Sequence, residues 1–132
     1  MIVLDTHALI WWANGQNDIS DPARSLIDQQ LADGEDVLVS AISAWEIGML
    51  VAKQRLHLSM DVSAWLATAA TIEGIRFVAV DMEIALKSTE LPGEFHKDPA
   101  DRIIVATARR FGLALVTADE KIRAYPHVKT FW

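Results

Sequence analysis

A three-layer α/β/α domain around a central, mainly parallel sheet of four to five strands is the architecture this sequence predicts. Two observations carry it. The apolar runs are short and nearly continuous rather than alternating, as in strands buried on both faces of a parallel sheet. Between them lie stretches of helical character that open on cap residues, so strand and helix alternate as βαβ crossovers require.

The first strand is Ile2-Val3-Leu4. Asp21-Pro22 reads as an N-cap with proline at the first helical position, leading a helix from Ala23 to Ala32. Val37-Leu38-Val39 follows Gly34 as the second strand, and a further helix comes after it. Asp61 is placed to cap a helix over Val62 to Ile72. Phe77-Val78-Ala79-Val80 follows Gly74 as the third strand, and Asp81 caps Met82 to Lys87. Asp98-Pro99 repeats the cap-plus-proline signal before Ala100 to Phe111, a helix that stops at Gly112. Ala114-Leu115-Val116 is the fourth strand, and Val128-Lys129-Thr130, just past Pro126, is a weaker fifth.

With 132 residues, 52% of them hydrophobic, the chain is long enough for one domain, residues 1–132, with a sizeable core. No apolar run reaches the roughly 18 residues that suggest a membrane span. Met1 to Asp5 lacks the basic start of a secretory signal, and there is no cysteine for disulfides or thiolate metal sites. The expectation is a soluble, cytoplasmic protein. Its net charge of −6 argues against a nucleic-acid ligand unless several of the acids bind cations. Five candidate site acids would account for most of that excess.

In open parallel sheets, sites form beyond the carboxyl ends of the strands. Asp5 directly follows the first strand, Glu46 lies early in the helix after the second, and Asp119 follows the fourth. Asp98 and Asp101 open the long helix before that strand, spaced i,i+3 on roughly one face. Each acid alone has a plain structural explanation. Carboxylates stabilise helix N-termini by about 0.3–1 kcal/mol, Asp98 suits an N-cap, and Ser43 to Glu46 matches a capping box. Together they are harder to explain. Two like charges about 4 Å apart cost on the order of 4 kcal/mol at an effective dielectric of 20, which capping cannot offset and a divalent cation can. An all-oxygen ligand set selects a hard ion, Mg²⁺ or Mn²⁺. Such ions polarise phosphodiesters and activate water for hydrolysis. Thr6 and Thr117 set hydroxyls beside Asp5 and Asp119, where either could hold a carboxylate.

Four segments resemble the PIN-domain family, and within it the VapC-type toxin branch of type II toxin–antitoxin systems. They are Ile2 to His7, Ser40 to Glu46, His96 to Ala108 and Val116 to Asp119, in the family's order and spacing across essentially the whole chain. The stretch Asp98 to Ala108 is the most specific. The resemblance implies a Mg²⁺- or Mn²⁺-dependent endoribonuclease that hydrolyses RNA with metal-activated water. It also implies a homodimer neutralised by a cognate antitoxin. The family's four acidic positions correspond to Asp5, Glu46, Asp101 and Asp119, with Asp98 an additional acid at the margin. No acid is missing, which weighs against the alternative of a catalytically silent PIN-fold scaffold binding protein or RNA.

Arg102 adjoins Asp101 and is placed to hold a phosphate or balance the acids, or to be an ordinary solvated arginine. Lys53, Arg55, Lys97, Arg109, Arg110, Lys121 and Arg123 could line an RNA path, though each also suits a solvated face. His7, His57, His96 and His127 show no metal-ligand spacing. Trp45 is expected in the core. Trp11 and Trp12 are consecutive, so one should be buried and the other exposed at an interface, where a protein partner or dimer contact is favoured over base stacking. A haloacid-dehalogenase-like phosphatase would want an aspartate where His7 stands, and a receiver domain a strand-end lysine that Lys121, after Asp119, does not supply. Neither suits the chain.

Overall fold

The computed structural model describes all residues from Met1 to Trp132. Its elements run β1 (Ile2–Leu4), α1 (Thr6–Ala13), α2 (Asp21–Ala32), β2 (Val37–Ser40), α3 (Ile42–Ala52) and α4 (Val62–Ala70). They continue with β3 (Ile75–Val78), α5 (Met82–Thr89), α6 (Pro99–Phe111), β4 (Leu115–Val116), α7 (Glu120–Arg123) and β5 (Thr130–Phe131). The strands form one sheet in the order β3-β2-β1-β4-β5, every pairing parallel. No helix is long and apolar enough to cross a membrane.

Strand residues sort by parity into two cores, because successive side chains leave a strand on opposite faces. Ile2, Leu4, Val37, Val39 and Val116 meet Leu9, Ile10, Ile27, Ile47 and Trp65 from α1 to α4. Val3, Leu38 and Leu115 face the other way, against Ile84, Ile104, Val105 and Ile122 from α5 to α7. Burial on both faces is why these strands read as apolar without alternation.

Several boundaries differ from expectation. Ser20, not Asp21, caps α2, its hydroxyl accepting from the Ala23 amide at 3.2 Å, so Pro22 is the second helical residue. β3 begins two residues earlier than its apolar run suggested. Its register with β2 pairs Val37 with Ile75 and Ser40 with Val78, leaving Ala79-Val80 as the lead into Asp81. On this edge strand Arg76 points to solvent and pairs with Asp36 at 3.1 Å. β5 is displaced the other way, to Thr130–Phe131, where Leu115 and Val116 find their partners. α6 keeps both expected signals. Asp98 caps its start, and Gly112, at φ 66°, turns the chain into β4 in the left-handed conformation that glycine alone adopts without strain.

Candidate active site

The strand order creates one topological switch point. From β1 the chain moves outward through β2 to β3, then returns through α5 and α6 to place β4 on the other flank of β1. Connections leaving β1 and β4 therefore diverge, opening the crevice where α/β proteins bind ligands. Asp5 leaves β1 into this crevice, and Thr117 and Asp119 leave β4 into it.

Asp5 is the deepest acid, 7% exposed. One carboxylate oxygen caps α1 by accepting from the Thr6 amide at 2.8 Å, and the other accepts from the Thr117 hydroxyl at 2.7 Å. That hydroxyl in turn accepts from the Asp119 amide at 3.0 Å, so a single threonine links the ends of β1 and β4. Thr6 sends its side chain to α3, donating to Glu46 Oε1 at 2.6 Å. Its only proton is then used, so the 2.8 Å contact with Ser43 has the serine as donor.

This arrangement replaces the expected capping box. α3 begins after Ala41 with no side-chain cap, Ser43 is its buried second residue, and Glu46 accepts from Thr6 rather than capping its own helix start. Glu46 therefore has no capping duty. Asp98 and Asp119, like Asp5, do cap helices: Asp98 accepts from the Asp101 amide at 2.9 Å, and Asp119 accepts from the Lys121 and Ile122 amides. Capping fixes where each carboxylate stands without using both its oxygens.

Asp5, Glu46, Asp98, Asp101 and Asp119 line one cavity of about 410 Å³, with His7, Trp11 and Ala118 completing its wall. Burial pushes all three of the deeper acids above their ordinary range. For Asp5 it outweighs the Thr117 and Thr6 bonds, and for Glu46 it outweighs the Thr6 bond. Asp101 is raised to about 8, first by burial, then by the negative charges of Asp5, Asp98, Asp119 and Glu46. His96 Nε2 lies 2.9 Å from Asp101 Oδ2, but it is not aligned as a hydrogen-bond donor and does not offset these causes.

A site that holds its carboxylates against their own repulsion is suited to a cation. No three of these side chains converge into a ready-made coordination cage. Mg²⁺ does not need one, because it keeps several waters and is usually held through one or two carboxylates. The oxygen-only donors therefore fit a hard divalent ion.

Some expected residues lie elsewhere. Arg102 turns away from the acids, its guanidinium donating to the carbonyls of Ser88, Phe95 and His96, so it neither holds a phosphate nor balances the cluster. Arg110 pairs with Glu83 at 3.0 Å, and Arg109 bonds the His127 carbonyl. Lys121 does border the acids, in a groove it shares with His96 and Glu120. Trp45, expected in the core, is 55% exposed. Trp11 and Trp12 are both half-buried. Trp12 donates to Asp28 on α2 at 2.9 Å, while Trp11 joins the acid cavity. Residue spacing overlooked His96 and underweighted Trp11. Only the i,i+4 step from His7 to Trp11, just past Asp5, hinted at the latter.

The family model for the PIN domain matches residues 2–128. Ribonuclease VapC22 of Mycobacterium tuberculosis is 34% identical over 133 residues, spanning 99% of this chain and 98% of that protein. Among solved structures, VapBC2 from Rickettsia felis, bound to a DNA fragment from their promoter, superposes with a TM-score of 0.72. It has 18% identity and covers 99% of this chain and 98% of that one. FitAcB from Neisseria gonorrhoeae gives 0.69 at 22% identity, covering 100% and 97%.

Proposed function

The chain belongs to the PIN-domain family, and from that premise we propose that it is a Mg²⁺- or Mn²⁺-dependent endoribonuclease, the toxin of a toxin–antitoxin pair acting in the cytoplasm. The single observation that carries this reading is the gathering of Asp5, Glu46, Asp101 and Asp119 in one cavity at the switch point. The similarity to a named ribonuclease supports the reaction class, and the likeness to a toxin–antitoxin complex supports a cognate antitoxin as partner. A homodimer belongs to the same proposal.

Asp5, Glu46, Asp101 and Asp119 would hold the ion, with Asp98 at the margin. When bound, the ion supplies Lewis-acid polarisation of the phosphodiester and lowers the pKa of an attacking water. The chain's own residues prepare for it. Thr117 orients Asp5, and Thr6 orients Glu46, so both carboxylates would meet a cation already held in place. Asp101, raised to about 8 by burial and by its acidic neighbours, is a carboxyl whose ionised form a bound cation would favour. His96, beside Asp101, lines the adjoining groove with Lys121.

The test is incubation of the chain, freed of any partner, with structured RNA and Mn²⁺, alongside EDTA and Asp5→Asn controls. Cleavage that disappears in both controls is expected. Cleavage that survives either one in folded protein would overturn the metal assignment. Absence of Mn²⁺ binding by calorimetry would point instead to a silent scaffold.

A further inference from the structure

We propose that Trp11 is a stacking platform for one unpaired nucleobase, next to the nucleotide whose phosphate sits at the acids. The ligand class rests on the ribonuclease reading above. The subsite itself rests on the geometry of α1.

Asp5 caps α1, so the first turns of that helix stand directly over the end of β1. His7 and Trp11 are spaced i,i+4 and share one face. That face is turned to the acid cavity, whose lining includes both rings. Trp12, one residue on, is committed to α2 through Asp28 and takes no part. Trp11 is held from two sides without being covered in parallel. The His7 ring lies 5.5 Å away at a 48° tilt, and Trp132 meets it edge-on at 5.8 Å and 62°. Neither neighbour occupies the indole as a stacked partner would.

The chemistry of the wall selects the occupant. Only Trp11 and Ala118 among the eight lining residues are hydrophobic, and the rest apart from His7 are carboxylates. An RNA phosphate drawn to a cation among those carboxylates carries its sugar and bases into the same cavity. The apolar surface available there is the indole. A base inside a duplex has both faces already stacked and cannot use it, whereas a base in a loop, bulge or single strand can. The subsite therefore favours RNA that is unpaired at the cut.

The test uses the full chain with Ca²⁺ in place of Mg²⁺ and a short single-stranded RNA carrying 2-aminopurine, whose fluorescence falls when it stacks. Trp11→Ala should abolish the quenching and weaken binding by about 5–100-fold, the range seen when one base–aromatic stack is removed. Trp11→Phe should keep most of both. The same RNA annealed into a duplex should show neither effect. Should Trp11→Ala fail to fold, Trp11→Leu, apolar but without a π face, gives the same readout.

Quenching and affinity that match wild type in Trp11→Ala would overturn the proposal and leave the ring as a contact for a protein partner. Wild-type cleavage of RNA that Trp11→Ala leaves unchanged would also overturn it, with the ribonuclease reading intact. Trp11-dependent quenching in a protein that cuts no RNA would do the reverse, sustaining the platform and removing the ribonuclease.

Discussion

Thr117 gives its one proton to Asp5 and takes another from the Asp119 amide, so two of the four acids depend on a hydroxyl that never needs to touch substrate. Thr117→Val, nearly isosteric, should lower activity or Mn²⁺ affinity by about 10–100-fold, the usual effect of losing such an outer partner. Titration calorimetry with Mn²⁺ and cleavage rates measured in parallel would check it. Asp101 offers a contrasting case. Its carboxylate is raised to about 8 by burial and by its acidic neighbours, so ionising it opposes folding when no cation is present. Asp101→Asn should therefore abolish cleavage while raising the metal-free Tm near neutral pH, by about 1 kcal/mol or more, roughly 3 °C upward. A lower Tm by calorimetry would count against mutual repulsion at the site. At this scale the acids were legible, because strand-end position and cap spacing determine where a short carboxylate stands. Arg102 and Trp45 were not. Adjacency to Asp101 or Glu46 says nothing about which way a long side chain turns, and Arg102 had three free carbonyls within reach on its far side.

Secondary-structure elements were legible where the chain carries its own stop and start signals. α6 has Asp98 before it and Gly112 after it, and both act as expected. Gly112→Ala should cost about 1 kcal/mol, since alanine at φ 66° is strained even though space is free around the missing Cβ. Gly74→Ala should cost more. At φ 90° its Cβ would come within 2.5 Å of a Leu31 methyl, adding a clash to the strain. Thermal melts of the two variants would rank them, and the reverse order would refute the packing at Gly74. β3 and β5 were each displaced by two residues because apolar content does not set their limits. Register against β2 and β4 does, and pairing partners are not visible in a local window. The capping box over Ser43 to Glu46 failed for a related reason. Its residues fit the local pattern, but a hydroxyl from α1, forty positions away, claims the glutamate.

For the whole molecule, the raised acids couple folding to pH and, on the proposed function, to metal. A carboxyl whose folded value lies above its unfolded one binds more protons when folded, so stability falls as pH rises between the two values. For Asp101 that window runs from 3.8 to about 8, and the upward shifts of Asp5 and Glu46 act in the same direction. Metal-free protein should thus melt at progressively lower temperature from mildly acidic to mildly basic buffer. Mn²⁺ should reverse the trend, with its largest stabilisation at the basic end, where it no longer competes with protons. A metal-free Tm that rises with pH over this window would refute the coupling. The architecture itself was legible because alternation of strand and helix leaves few topologies open. The net charge of −6 was less informative, because it does not say that five of the acids share one cavity.

The bond from Thr117 to Asp5 joins positions 112 residues apart. During synthesis Asp5 leaves the ribosome long before Thr117, and until Thr117 follows, β1 lacks its β4 neighbour and Asp5 its hydroxyl. Until β4 joins the sheet, Asp119 and Asp5 cannot be gathered into the cavity they share with Glu46 and Asp101. Any proteolytic fragment ending before β4 lacks both Asp119 and the hydroxyl that holds Asp5. The sheet order thus makes the acid site one of the last parts of the fold to be completed, and on the proposed function it holds back the cutting of RNA until the sheet has closed around β1.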